Sequence, residues 1–210
     1  MTSPLPFTRV AGHAAPLPEE NVDTDIIFPA RFLLITARTG LGRYAFHDRR
    51  FAADGSEIAG FVLNRQPFRD SPFLVTGPNF GSGSSREQAV WALLNCGIRC
   101  IVAPSFGEIF HANCMRNGLL PVSLPGEVVD QLQSAAAAEK IFAVDLETQT
   151  LTVDREEPLR FSMSPERRLA MLNGWDETQQ ILNQHGDELR AFEGRQRLAQ
   201  PWLYTSEAVQ

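Results

Sequence analysis

Residues 73–103 read FLVTGPNFGSGSSREQAVWALLNCGIRCIVA, and their pattern decides the fold class. Phe73-Leu74-Val75 is a short apolar run closed by Gly77-Pro78. Residues 85–96 then place Ala89, Ala92, Leu93 and Cys96 on one face at helical spacing, and Gly97 stands where a C-cap belongs. Cys100-Ile101-Val102-Ala103 is again continuous and apolar, bounded by Pro104. Strand, helix and strand with short joints make a βαβ unit, which closes right-handed around a parallel sheet.

The same pattern continues downstream. A helix is predicted near 107–116, ending at Gly118, and a strand over 119–124. Residues 126–139, with alanine at 135 to 138, predict another helix. Val144 and Leu146 face Leu151 and Val153 across a polar turn, which reads as a hairpin. Ser164, Pro165 and Gly174 bound a further helix as N-cap, first-turn proline and terminal glycine. Upstream, residues 1–70 carry Pro16, Pro18, Pro29, Gly40, Gly42, Gly55 and Pro67 between short apolar runs such as Ile26-Ile27-Phe28 and Phe61-Val62-Leu63. Those runs predict strands and loops rather than long helices. The expected architecture is α/β in three layers: a parallel sheet, flanking helices, and an additional antiparallel sheet drawn from residues 1–70. After Gly194 the composition turns polar, so residues 195–210 are expected to form a loose or partner-held tail.

Composition narrows the function classes. Lys plus Arg is 19 against 25 Asp plus Glu, a net charge of −6, which argues against nucleic-acid binding. The 43% hydrophobic and 21% charged fractions are near globular averages and exclude wholesale disorder. No stretch approaches the roughly 20 apolar residues of a membrane span. Pro, Thr and Arg within residues 1–18 interrupt any signal-peptide core. Three cysteines, an odd number, read as reduced thiols, so a soluble cytoplasmic protein is expected. Cys96-x3-Cys100 followed by Cys114 fits neither a zinc site nor an iron–sulfur run, and His13, His47, His111 and His185 form no H-x3-H pair. No metal site is expected on this chain.

The chemistry concentrates in Gly77-Pro78-Asn79-Phe80-Gly81-Ser82-Gly83-Ser84-Ser85-Arg86-Glu87-Gln88, between the first strand and the helix of the βαβ unit. Ligands favour this place in open α/β sheets. Gly81 and Gly83 permit close backbone approach, the helix start offers unpaired N–H groups, and Arg86 adds a planar two-pronged donor. Together they describe an anion site suited to a carboxylate or phosphate. The dinucleotide, P-loop and G-x-S-x-G signatures all fail here. Ser84-x-x-Glu87 also reads as a capping box, in which the serine hydroxyl only satisfies the helix start. Asn21-Val22-Asp23-Thr24-Asp25 is a second constellation. Its carboxylates can bind a cation, orient an arginine or line an active-site wall; the same residues also read as an Asx turn ahead of a strand.

Residues 79–87 (Asn-Phe-Gly-Ser-Gly-Ser-Ser-Arg-Glu) and 21–29 (Asn-Val-Asp-Thr-Asp-Ile-Ile-Phe-Pro) together resemble the small-subunit family of 3-isopropylmalate dehydratases. The likeness continues through Arg38-Thr39-Gly40, Phe61-Val62-Leu63-Asn64, Ala103-Pro104-Ser105-Phe106, Ile109-Phe110 and Leu119-Leu120-Pro121-Val122, and so spans the chain to about residue 194. The family commonly has Cys and His where this chain has Ser82 and Gln88. The resemblance implies a three-layer β/β/α swivelling domain of the aconitase superfamily over 1–194. It implies a partner, the large subunit, which carries a [4Fe–4S] cluster, with no cofactor on this chain. It further implies Ser84 as the base that takes a proton beside a carboxylate, with Ser85 and Arg86 on the substrate carboxylates. Asp23, Thr24 and Asp25 are expected to line the substrate site.

The implied reaction interconverts 2-isopropylmalate and 3-isopropylmalate through 2-isopropylmaleate, in leucine biosynthesis. The same chemistry on homoaconitate, citraconate or dimethylmalate is the close alternative. The loop after Pro29 separates them: Phe32, Leu33 and Leu34 suit an isopropyl group, whereas a second carboxylate arm calls for arginine, and Arg31 is nearby. Two readings from other classes are a non-catalytic anion-binding module and a Ser/His hydrolase, which needs a histidine within reach of Ser84.

Overall fold

The computed structural model describes residues 4–204. At its centre the expected unit is present: β2 (Phe73–Thr76), α3 (Glu87–Asn95) and β3 (Cys100–Ala103), with the two strands parallel. α4 (Glu108–Arg116) and β4 (Leu120–Ser123) repeat the pattern, so β4 pairs parallel with β3. Every residue of β2 and of β3 is buried. That is why these strands read as continuous rather than alternating apolar runs: both sheet faces are covered.

β1 (Arg9–Leu17) joins two kinds of sheet. Its second half, Ala14 to Leu17, runs parallel to β2 in register with Phe73 to Thr76. Its first half, Arg9 to His13, runs antiparallel to β5 (Ile141–Asp145). β5 continues into the expected hairpin with β6 (Thr150–Val153), and β7 (Leu159–Arg160) closes the edge. The order is β4-β3-β2-β1-β5-β6-β7. The parallel part, the antiparallel part and the flanking helices match the expected class.

The origin of the antiparallel part differs from expectation. Upstream of residue 71, β1 is the one strand among the described residues. The rest of that region folds as α1 (Thr24–Ile27), α2 (His47–Arg50) and single-turn 3-10 segments at Ala30–Phe32, Leu41–Tyr44, Val62–Asn64 and Phe68–Asp70. Ile26-Ile27-Phe28 is a helical turn and its exit, not a strand. The apolar runs here are too short and too often broken by Pro and Gly to alternate along a strand. Instead each drops one or two anchors into the core, among them Ile27, Phe28, Leu41, Phe46 and Leu63.

Two apolar layers result from the two faces of the strands. Leu74 and Ile101 point to the layer shared with α3, α4 and the irregular N-terminal segments. Phe73, Val75, Cys100 and Val102 point to the other, against α5 (Gly126–Ala137), β5, β6 and α6 (Pro165–Asn173). α6 is capped as predicted, with Ser164 accepting from Arg167 N and Gly174 left-handed at the C-terminus. Cys100 and Cys114 are buried, and burial pushes both thiols well up. Cys96 is only half-buried, at the C-cap of α3, where its thiol donates to Gly42 O at 3.0 Å.

The boundary expected at 194 is not a break in regular structure. α7 (Glu177–Ala199) runs through Gly194, with non-helical angles only at His185, and Pro201–Tyr204 forms one more 3-10 turn. A single glycine costs a helix about 1 kcal/mol and does not end it. Of the expected tail, residues 205–210 lie outside the described residues. Among the described residues no helix is long and apolar enough to cross a membrane.

Candidate active site

The two sequence constellations, 21–25 and 77–88, are well separated in the chain and lie side by side in the fold. Val22 O accepts from Gly81 N at 2.7 Å and Ser82 O accepts from Thr24 N at 2.9 Å, a short parallel bridge between Asp23 and Ser82. Asn21 and Asn79, both with left-handed backbone, are joined side chain to side chain at 2.8 Å. From the other side, Ser105 accepts from Asn79 N with its hydroxyl and from Phe80 N with its carbonyl, and Gly107 N donates to Phe80 O. The serine loop is therefore clamped between the segment before α1 and the segment before α4.

Close packing explains the first loop glycine. Gly81 has φ +72°, and a Cβ there would sit 2.2 Å from Phe110 Cγ. Gly81→Ala should thus cost about 2–4 kcal/mol through overpacking and left-handed strain. A thermal melt of the isolated chain checks this, as a marked fall in Tm.

α3 starts later than the capping-box pattern predicts. Its N-cap is Arg86, in extended conformation and without a side-chain cap hydrogen bond. Ser84 lies ahead of that cap, so its hydroxyl is not spent on the helix, and the capping assignment is overturned. Ser84 and Ser85 are both exposed. No hydrogen bond to either hydroxyl occurs among the described residues, and no histidine there pairs with Ser84. Glu87 does not reach back either; it accepts from Asn117 Nδ2 at 2.9 Å.

Asp23, Thr24 and Asp25 hold the loop. Asp23 Oδ1 caps α1 by accepting from Ile26 N at 2.7 Å, the Asx turn of the alternative reading. Thr24 is buried and its hydroxyl donates to Ser84 O at 2.9 Å. Asp25 accepts from Ala30 N at 2.8 Å and from Arg86 Nη1, which also donates to Phe28 O. Orienting an arginine is thus what Asp25 does. The Arg86 side chain is 16% exposed, and its Nε and Nη2 have no acceptor among the described residues. That leaves one edge of the guanidinium for a carboxylate.

The Arg86 hydrogen bond, helped by Ala30 N–H, holds the Asp25 carboxyl below its usual range. A depressed folded-state value gives stability that is complete above the unfolded value and is lost as pH falls through the folded one. Asp25 is more than half exposed, so the effect on global stability is slight. The local expectation is sharper: in Arg86→Gln, a carboxyl NMR titration should show Asp25 moving up toward the ordinary aspartate range.

The loop after Pro29 starts from the same knot. Arg31 pairs with Asp48, whose carboxyl that contact lowers to about 2, and also meets His47 Nδ1 at 3.1 Å. Phe32 sits among Phe28, Tyr44 and His47, with ring centroids 6.1, 4.5 and 5.0 Å away. Leu33 is half-buried, while Leu34 is 92% exposed. The charge of Arg31 is therefore balanced locally, and the large apolar side chain that this loop exposes beside it is Leu34. Sequence reasoning missed Ser105, Gly107 and Asp48, since nothing local marks a serine or aspartate that will meet a loop distant in the chain.

This surface is open. A cleft of about 310 Å³ lined by Gly40, Arg50, Arg69 and Cys96, and another of about 300 Å³ lined by Arg38, Glu87 and Asp176, are not bounded by Ser84, Ser85 or Arg86. Among the described residues no group of three or more His, Cys, Asp or Glu side chains is arranged to hold a metal.

Known proteins resemble this chain in sequence and in fold. A family model described as the aconitase C-terminal domain matches residues 5–127. A second, described as the C-terminal domain of the 3-isopropylmalate dehydratase small subunit, matches residues 184–206. The 3-isopropylmalate dehydratase small subunit of Rhodospirillum centenum is 49% identical, over 93% of this chain and 97% of its own length. That of Gluconobacter oxydans is 48% identical over 90% and 91%. A crystal structure of 3-isopropylmalate dehydratase from Methanocaldococcus jannaschii aligns with TM-score 0.65 and 23% identity, covering 87% of this chain and 99% of that one, a likeness of fold.

Proposed function

This chain belongs to the family of 3-isopropylmalate dehydratase small subunits, and from that membership we propose that its serine loop is the half-site that moves the proton in the isomerisation of 2-isopropylmalate to 3-isopropylmalate. The observation that carries the reading is the state of the loop. A serine hydroxyl without an intramolecular partner lies beside a helix start and an arginine with one free edge, on a surface open to a second protein.

The reaction removes a carbon-bound hydrogen and a hydroxyl from neighbouring carbons, releasing water and leaving 2-isopropylmaleate, and then adds water back with the positions exchanged. In this reading Ser84, as alkoxide, takes the proton from the carbon next to a carboxylate and returns a proton on rehydration. An ordinary serine is a poor base. The dipole of α3, unpaired loop N–H groups and the Arg86 guanidinium stabilise the anion once a partner excludes water. Arg86 offers Nε and Nη2 to one substrate carboxylate, and Ser85 offers its hydroxyl and N–H to a carboxylate as well. Asp25 aims Arg86 and does not meet the substrate with its bonded oxygen.

The partner is the large subunit. The family resemblance assigns the [4Fe–4S] cluster to the large subunit; among the described residues Cys100 and Cys114 are sealed in the core, and the Cys96 thiol donates a hydrogen bond to the Gly42 carbonyl. Unpaired cysteines suit a reducing compartment, and we place the complex in the cytoplasm. Among dehydratase substrates, Leu34 and the neutralised Arg31 favour an isopropyl group over a second acidic arm. The two-subunit complex, assayed on 2-isopropylmalate, citraconate, dimethylmalate and homoaconitate, should give its highest kcat/KM on 2-isopropylmalate. A higher value on homoaconitate would reassign the substrate.

A further inference from the structure

Thr24 lies between two candidate substrate-binding carboxylates, yet it is 2% exposed and has no surface to offer a ligand. Both of its hydrogen-bond donors go to the serine loop. Its N–H donates to Ser82 O and its Oγ1 to Ser84 O, each at 2.9 Å. These two carbonyls bracket Gly83, whose φ of +91° favours glycine through backbone conformation and not through crowding, since a Cβ there would make only ordinary contacts with Asp23 and Thr24. Thr24, rather than crowding at Gly83, shapes the bend.

The consequence follows from peptide planarity. In a trans peptide the carbonyl points opposite to the next N–H. Turning Ser82 O and Ser84 O toward Thr24 therefore turns the N–H groups of Gly83 and Ser85 to the other side, the side open to solvent. Neither N–H has an acceptor among the described residues.

We propose that Thr24 is a positioning residue for the proton-transfer step: its hydroxyl fixes the Ser84 peptide so that Ser84 Oγ and the outward Ser85 N–H present themselves together. The proposal rests on the dehydratase reading above. It replaces direct substrate contact by Thr24 with action through Ser84. A small rotation of that peptide would carry both groups off line, and displacement by about 1 Å can cost up to about 100-fold in rate.

The test uses the complex with the large subunit. Thr24→Val keeps the shape and removes the hydroxyl; Thr24→Ser keeps the hydroxyl. Thr24→Val should lower kcat about 10-fold or more with KM within about twofold, and Thr24→Ser should recover most of the loss. In the isolated chain, the amide NMR shifts of Gly83 and Ser85 should move in Thr24→Val and stay near the wild-type positions in Thr24→Ser. Should the valine variant not fold, Thr24→Ala against Thr24→Ser isolates the hydroxyl in the same way. An unchanged kcat without the hydroxyl, or a loss that Thr24→Ser fails to rescue, overturns the proposal alone. An inactive wild-type complex overturns the dehydratase reading and this proposal with it.

Discussion

Ser84→Ala in the two-subunit complex is expected to lose turnover by about 10²–10⁴-fold, the range for removing a positioned base, while the melting temperature of the chain stays where it was. The second half of that expectation comes from the position of the α3 N-cap at Arg86. Had Ser84 capped the helix, its removal would cost about 1 kcal/mol and leave turnover nearly intact. Ser84→Asp separates the roles further. Position 84 is exposed and lies ahead of the α3 cap, so aspartate fits there, and a carboxylate is a stronger base than a hydroxyl, yet its charge would oppose an incoming carboxylate beside Arg86. It should therefore be as stable as wild type, slow, and weaker in binding substrate than the alanine variant. Parallel melts and steady-state kinetics on both variants separate the two roles. An alanine variant with wild-type kcat would remove Ser84 from the chemistry and leave Arg86 as a binding group.

The parts of this account that were legible in the sequence are those governed by local pattern. β2, α3 and β3 could be read from residues 73–103 because buried parallel strands are apolar throughout and α3 carries Ala89, Ala92 and Leu93 at helical spacing. The β5–β6 hairpin and the capped α6 were legible for the same reason. The double role of β1 was not. Whether Ala14 meets Phe73 and His13 meets Ile141 depends on partners far along the chain, and neither pairing leaves a mark on residues 9–17. Likewise the residue types of the site could be named from their chemistry, but not their division of work. Thr24 and Asp25 look equally suited to a ligand in the sequence. In the fold Thr24 is buried and hydrogen-bonded to Ser84 O, while Asp25 is exposed and paired with Arg86. The capping-box pattern misled because it scores spacing alone. Two hydrogen bonds from Thr24 hold Ser82 and Ser84 in the bend, and the helix can begin only after it.

The second large effect concerns the open surface. Ser84 and Ser85 are exposed beside Arg86, so water competes for their donors and an anion at Ser84 has no low-dielectric surrounding to stabilise it. The chain also lacks a side-chain group for binding a metal among its described residues. Its activity should appear only when the other side is closed by the large subunit. The direct measurement is conversion of 2-isopropylmalate to 3-isopropylmalate, followed by chromatography, for this chain, for the cluster-loaded large subunit, and for the two mixed anaerobically. The account predicts no conversion by either protein alone and turnover that rises with added chain until the two are equimolar. Conversion by this chain alone, or a mixture no more active than the large subunit by itself, would contradict it.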